Sequence, residues 1–303
     1  MTQTGQMELG RVGIWSANLD SPPIEQLPAI ARELEELGYD ALWIPEVAGR
    51  DPFVKAALML AGTERLVVAT GIATIYRSDP LAMSSVWKTL TDAFPGRFLL
   101  GLGVSHRPAV EGLRNHEYRP PLTAMREYLD GMDAAPYTSF RPTTPVRRVL
   151  AALRPKMLAL AAEKADGAHP YFVTPEHTAR AREILGAGPL LCPEQAVVLE
   201  SDPDKARAIG REYTKVYLGQ PNYVNNILEL GFSEADLADG GSDKFVDALV
   251  AWGDADSIVA RVRAHLEAGA DHVAVQALPA QRRGVPDGQW RELAPALLSL
   301  NTA

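Results

Sequence analysis

Phe94-Pro95-Gly96-Arg97-Phe98-Leu99-Leu100-Gly101-Leu102-Gly103-Val104-Ser105 is the stretch that decides the fold. Pro95-Gly96 is turn chemistry. Phe98 to Leu102 is an apolar run that reads as a strand buried on both faces, as in a parallel sheet. Gly101-Leu102-Gly103 closes it, removing side chains where a ligand or another backbone must come close. In alternating β/α proteins that C-terminal edge is where chemistry sits.

Working outward, strand-like and helix-like segments alternate. On the N-terminal side, 9–15, 39–44 and 65–72 read as strands. Between them, Leu27, Ile30, Leu34 and Leu37 recur at helical spacing before Gly38. Asp51-Pro52 and Asp79-Pro80 each open a further helix. On the C-terminal side, strands are expected at 148–153, 166–171, 195–200 and 272–277, and Thr174-Pro175 opens a helix as an N-cap followed by proline. Residues 219–252 read as a helical insertion ahead of the last strand. Eight alternations fit an α/β (β/α)8 TIM barrel, a single domain over 1–303 with a polar lead at 1–7, better than a doubly wound sheet.

The 303 residues carry a net charge of −8 and 47% hydrophobic side chains. No basic stripe points to nucleic acid. No apolar run reaches membrane-span length, and no basic start with an apolar core suggests a signal peptide. The lone cysteine, Cys192, leaves no room for an internal disulfide. A soluble cytoplasmic enzyme acting on a small molecule is the expectation.

Several motifs narrow the chemistry. Gly101-Leu102-Gly103 is no dinucleotide fingerprint, because His106 stands at the third glycine position. A P-loop and a nucleophile elbow are both absent, and the six histidines show no metal-ligand spacing. The candidates sit instead at strand ends. Glu46 follows Leu42-Trp43-Ile44-Pro45 as a possible acid, base or acceptor, with a solvated loop acid as the alternative. Thr70, Gly71, Ile72 and Ala73 close the third strand, where backbone could approach a planar ring. His106 and His169 each follow a strand at the same barrel end. Asn222 and Tyr223 lie on a helix that is either a plain amphipathic helix or a lid over a substrate.

These segments together resemble the luciferase-like monooxygenase superfamily, and within it the deazaflavin (coenzyme F-420) dependent oxidoreductases of actinobacterial type. The resemblance is carried by Leu37-Gly38-Tyr39-Asp40-Ala41-Leu42-Trp43-Ile44-Pro45-Glu46, Val68 to Ile72, Arg77-Ser78-Asp79-Pro80, Pro95 to Gly103, Ala165 to Tyr171 and Ala268 to Val273. It implies a TIM barrel with F-420 at the C-terminal strand ends and hydride transfer at carbon 5 of the deazaflavin. It further implies a non-proline cis peptide near Gly71-Ile72-Ala73, and ring contacts from Gly103, Val104 and Ser105. The cofactor phosphate is expected on backbone N–H groups at His169, Pro170 and Tyr171, ahead of the Thr174 helix. Relatives commonly form homodimers. Two departures stand out: Val47 replaces a histidine that often follows the second-strand carboxylate, and His106 replaces a glutamate of the sugar-phosphate branch. His106 is therefore the expected proton carrier beside Glu46. A flavin mononucleotide (FMN) dependent monooxygenase of the same fold, and a non-catalytic deazaflavin carrier or sensor, are the alternatives.

Overall fold

The structure, a computed structural model, describes residues 7–280 and 284–302. Of the polar lead, residues 1–6 therefore lie outside the described residues. The chain alternates β1 (Val12–Trp15), α1 (Leu27–Leu37), β2 (Ala41–Ile44), α2 (Pro52–Ala61), β3 (Val67–Thr70), β4 (Ala73–Thr74), α3 (Pro80–Ala93), β5 (Phe98–Gly103), α4 (Pro121–Ala134), β6 (Arg147–Leu150), α5 (Pro155–Lys164), β7 (Gly167–Ala168) and α6 (Pro175–Leu185). There follow β8 (Leu190–Leu191), β9 (Glu194–Leu199), α7 (Pro203–Leu218), α8 (Pro221–Glu229), α9 (Glu234–Leu237), α10 (Asp243–Leu249), β10 (Val250–Gly253), α11 (Ala255–Glu267), β11 (Val273–Ala277) and α12 (Asp287–Leu298).

All the described strand pairs are parallel. The sheet runs β10-β9-β11-β1-β2-β3-β5-β6-β7-β8. Only Cys192 and Pro193 separate β8 from β9, and these two act as one barrel strand. Its lower half pairs with β7, and its upper half with β11, which pairs in turn with β1. The Cys192 N–H donates to the Ala168 carbonyl and the Ala274 N–H to that of Pro193, both at 2.9 Å, closing the ring.

Residue parity divides two cores, as strand pleating requires. Val12, Ile14, Leu42, Ile44, Val68, Leu100 and Leu102 pack outward beneath the helices. Trp15, Ala41, Trp43, Val67, Ala69, Leu99 and Val149 fill the barrel interior. A third cluster, built on Phe172, Tyr213, Tyr223, Ile227 and Phe245, joins the insertion to the barrel top.

The expected helix boundaries rest on the cap residues seen in the sequence. Asp51 accepts from the N–H groups of Phe53 and Val54, and Asp79 from that of Ala82. Gly38 ends α1 with φ of 100°, where a side chain would be strained. Residues 219–252 are not helical throughout. Val250-Ala251-Trp252-Gly253 leave α10 as a strand and pair with Ala196 to Leu199 on the edge of β9. Val250 and Trp252 are residue types that suit a strand, and the segment is largely buried. The expected strand 166–171 shrinks to β7, because Pro170 cannot donate to a ladder and Phe172 turns to φ of 60°. The final helix α12 goes beyond the alternation read from sequence.

Candidate functional site

A cavity of about 640 Å³ opens at the C-terminal strand ends. It brings together Ile72, Gly103, Val104, Ser105, His106, His169 and Tyr171 from the candidates, with Asn222 and Tyr223 from the insertion. Thr70, Gly71, Ala73, Pro170 and Glu46 do not line it.

The floor is built from the β3–β5 junction. The Thr70 hydroxyl donates to the Gly101 carbonyl and accepts from the Gly101 N–H, both at 2.8 Å. A Cβ on Gly101 would sit 1.9 Å from the Thr70 carbonyl oxygen, whereas one on Gly103 would meet the Ile72 side chain at 2.6 Å. The two glycines are thus packing glycines. They let the Thr70-Gly71-Ile72 turn lie against β5 and place Ile72 on the floor. The Gly71–Ile72 peptide is cis.

His169 completes the floor. It is 1% exposed, and its ring stacks on Trp43 with centroids 4.3 Å apart. Nδ1 lies 2.6 Å from the Cys192 carbonyl, which can only accept, so Nδ1 carries the proton. Burial pushes the pKa of His169 down to about 4. Nε2 is therefore a neutral acceptor, buried and without a partner. Trp43 is itself fixed, donating from Nε1 to His272 Nε2 at 3.0 Å. His272 donates from Nδ1 to the Gly10 carbonyl, and burial lowers its pKa to about 4.

His106 lines the same cavity. It is half-buried, hydrogen-bonded to Asn222, and tilted against Tyr223 with ring centroids 5.5 Å apart. Burial lowers its pKa, with the Asn222 contact opposing the shift. The mouth carries Arg154, Pro155 and Lys156 at the start of α5. Arg154 pairs with Glu229 of α8, which ties the insertion to the barrel. His177 donates through its ring to the carbonyl of Leu153, a lining residue, at 2.6 Å and so positions that wall.

One expectation is corrected and another is narrowed. Glu46 does not face the cavity: its side chain is 6% exposed and both oxygens are engaged. They accept from the Thr74 N–H at 2.9 Å, from Arg77 at 3.3 Å and from Arg114. A carboxylate saturated by two guanidinium groups clamps the 72–77 and 114 segments and is not free to trade protons. At the expected phosphate site of His169, Pro170 and Tyr171, only Tyr171 keeps a backbone N–H that is not already engaged or missing. The His169 N–H donates to the Leu150 carbonyl, the Phe172 N–H donates to Glu194, and Pro170 has none.

Sequence reasoning missed Tyr118, Arg154 and Lys156, which carry no motif.

The profile of luciferase-like monooxygenases matches residues 4–272. A Mycobacterium tuberculosis protein assigned as a coenzyme F-420-dependent oxidoreductase is 28% identical over 70% of this chain and 73% of its own length. The F-420-dependent tetrahydromethanopterin reductase of Methanopyrus kandleri superposes with a TM-score of 0.76 at 17% identity, covering 97% of this chain and 99% of that one. An FMN-bound type II Baeyer-Villiger monooxygenase component of Pseudomonas putida superposes with a TM-score of 0.69 at 14% identity, covering 94% of this chain and 96% of that one.

Proposed function

The chain belongs to the luciferase-like monooxygenase family, and we propose that it is an oxidoreductase using the deazaflavin coenzyme F-420 on a small organic substrate. The observation that carries this reading is the floor of the cavity. There Ile72, Ala151, Ala152 and Tyr171 line the cavity together with His169, whose Nε2 is a buried, unpartnered acceptor. A planar heterocycle bearing an N–H fits both features. Its faces bury apolar surface, and its donor meets a lone pair whose isolation costs about 1–3 kcal/mol. Similarity to the M. tuberculosis protein supports F-420 as the group held there. Once bound, the coenzyme supplies hydride chemistry at carbon 5 of its ring.

The chain's own residues do the rest. His169 stays neutral above about pH 4 and so accepts from the ring without charge repulsion. Lys156 and the first turn of α5, whose N–H groups favour an anion, meet the coenzyme's phosphate-bearing tail at the mouth. His106, beside Asn222 and Tyr223 in the cavity lining, faces the substrate. Its lowered pKa makes it a neutral imidazole at pH 7, able to take the proton of an alcohol or to hydrogen-bond a carbonyl oxygen. Tyr223 and the rest of α8 exclude water above it.

The test is anaerobic mixing of reduced F-420 and protein with a panel of carbonyl and alkene acceptors, followed by the same panel in air. Acceptor-dependent oxidation of the coenzyme without oxygen uptake is expected. Oxygen consumption driven by bound FMN would contradict the reading.

A further inference from the structure

Along β5, successive side chains point to opposite faces. Phe98, Leu100 and Leu102 pack in the outer core, Leu99 lies inside the barrel, and Val104 still packs outward. Continued at that pleat, Ser105 would face inward and His106 would fall outward with Val104. Instead His106 lines the cavity together with Ser105. The alternation breaks at Ser105, whose φ of 57° is a left-handed backbone that serine seldom takes. The loop that starts there returns through Asn115 at φ of 53°, but asparagine tolerates this conformation far better. Strain at Ser105 persists only if its surroundings hold it.

Two sets of contacts hold it. The His106 carbonyl accepts from the N–H groups of Ala109 and Val110, both at 3.0 Å, and leads into a single π turn over Pro108–Leu113. On the other side, the Tyr118 hydroxyl donates to the Ser105 carbonyl at 3.3 Å. That carbonyl belongs to the peptide joining Ser105 to His106, so the bond fixes the plane from which His106 departs. Tyr118 reaches it from the returning limb of the same loop and is itself fixed. The Arg107 guanidinium lies 5.2 Å from its ring centre, and its ring stacks on that of Tyr76 with centroids 6.0 Å apart. The Tyr76 hydroxyl in turn accepts from the Arg119 N–H at 3.1 Å.

We propose that Tyr118 is a positioning residue for His106, holding the Ser105–His106 peptide in the left-handed turn that carries the imidazole from the outer face of β5 into the cavity. The proposal rests on the reading of His106 as the group that serves the substrate. Tyr118 lines the cavity too, but its hydroxyl proton is committed to Ser105. Its influence therefore runs through the backbone, falls on turnover, and vanishes when the imidazole is gone.

Steady-state kinetics with F-420, and histidine NMR titration of the coenzyme-free protein, test the proposal. Tyr118→Phe keeps the ring contacts and removes only the hydroxyl. It should bind F-420 as the wild type does and turn over roughly 10- to 100-fold more slowly. In a His106→Ala background the same change should cost nothing further. Adding Ser105→Gly to Tyr118→Phe should recover part of the loss, because glycine takes the left-handed turn without strain. The imidazole signal that His106→Ala removes should titrate below the ordinary value near 6.5 in the wild type, where burial lowers it, and move toward that value in Tyr118→Phe. Wild-type turnover in Tyr118→Phe, an equal loss with and without His106, no recovery with Ser105→Gly, or an unmoved His106 titration would overturn the proposal. If His106→Ala kept the wild-type rate, the functional reading of His106 would fail, while the NMR titration would still decide whether Tyr118 holds the ring in place.

Discussion

Gly101→Ala and Gly103→Ala add the same methyl group two residues apart on β5, and the structure assigns them different consequences. At Gly101 the new Cβ would fall 1.9 Å from the Thr70 carbonyl oxygen, a backbone atom already held by the β3–β5 ladder. Relief requires moving β3 away from β5 by more than 1 Å, which breaks the paired hydrogen bonds of Thr70 with Gly101. Overpacking of this kind against fixed backbone costs about 3 kcal/mol or more. At Gly103 the nearest atoms are Cδ1 and Cγ1 of Ile72 at 2.6 and 2.8 Å, with the Cβ of Ala151 at 3.2 Å. Ile72 can turn aside, so the fold loses only about 1 kcal/mol, but it turns into the cavity. F-420 affinity should then fall about tenfold or more, equivalent to about 1.4 kcal/mol. Urea unfolding followed by circular dichroism measures the first quantity, and F-420 fluorescence titration the second. Equal stability losses in the two variants, or wild-type F-420 affinity in Gly103→Ala, would refute the packing account of the floor.

Other perturbations separate clamps from reacting groups. Glu46→Gln should lower stability by about 1–3 kcal/mol, because Arg77 and Arg114 lose a shared anion, while F-420 binding at low temperature persists. Lost turnover with unchanged stability would instead mark Glu46 as a reacting acid. His106→Ala should retain F-420 affinity and reduce turnover about 100-fold or more; an unchanged rate removes it as the substrate's proton carrier. Acid should unfold the protein steeply. His169, His272 and His265 have folded pKa values pushed by burial to about 4, 4 and 3, below the ordinary value near 6.5. The unfolded chain therefore binds about three more protons between about pH 6 and pH 4. Their contribution to stability is complete above pH 6.5 and is lost as the pH falls, by about 4 kcal/mol per unit at the steepest. A flat stability curve across that window, measured by urea unfolding, would contradict their buried neutral state.

The barrel was legible because its helices announce their ends. Asp51-Pro52, Asp79-Pro80 and Thr174-Pro175 each combine a capping side chain with a residue preset for the first turn, and Gly38 marks a stop. β10 was hidden because no breaker separates Leu249 from Val250; only pairing with β9 makes that segment a strand. Placement of the cavity at the strand ends was readable from the β/α order. The parts played by Gly101 and Gly103 were not, since a sequence cannot say whether Thr70 and Ile72 or a ligand fills the space of a missing Cβ. Glu46 illustrates the same limit: its partners Arg77 and Arg114 lie 31 and 68 residues away.

The central claim is that the cavity floor, with its neutral His169 acceptor, holds a deazaflavin. Fluorescence titration of the purified protein with F-420 and with FMN in parallel tests it most directly, with His169→Phe as the companion variant. Saturable F-420 binding, little FMN binding, and at least tenfold weaker F-420 binding in the variant are predicted. Tight FMN binding with none of F-420 would contradict the account.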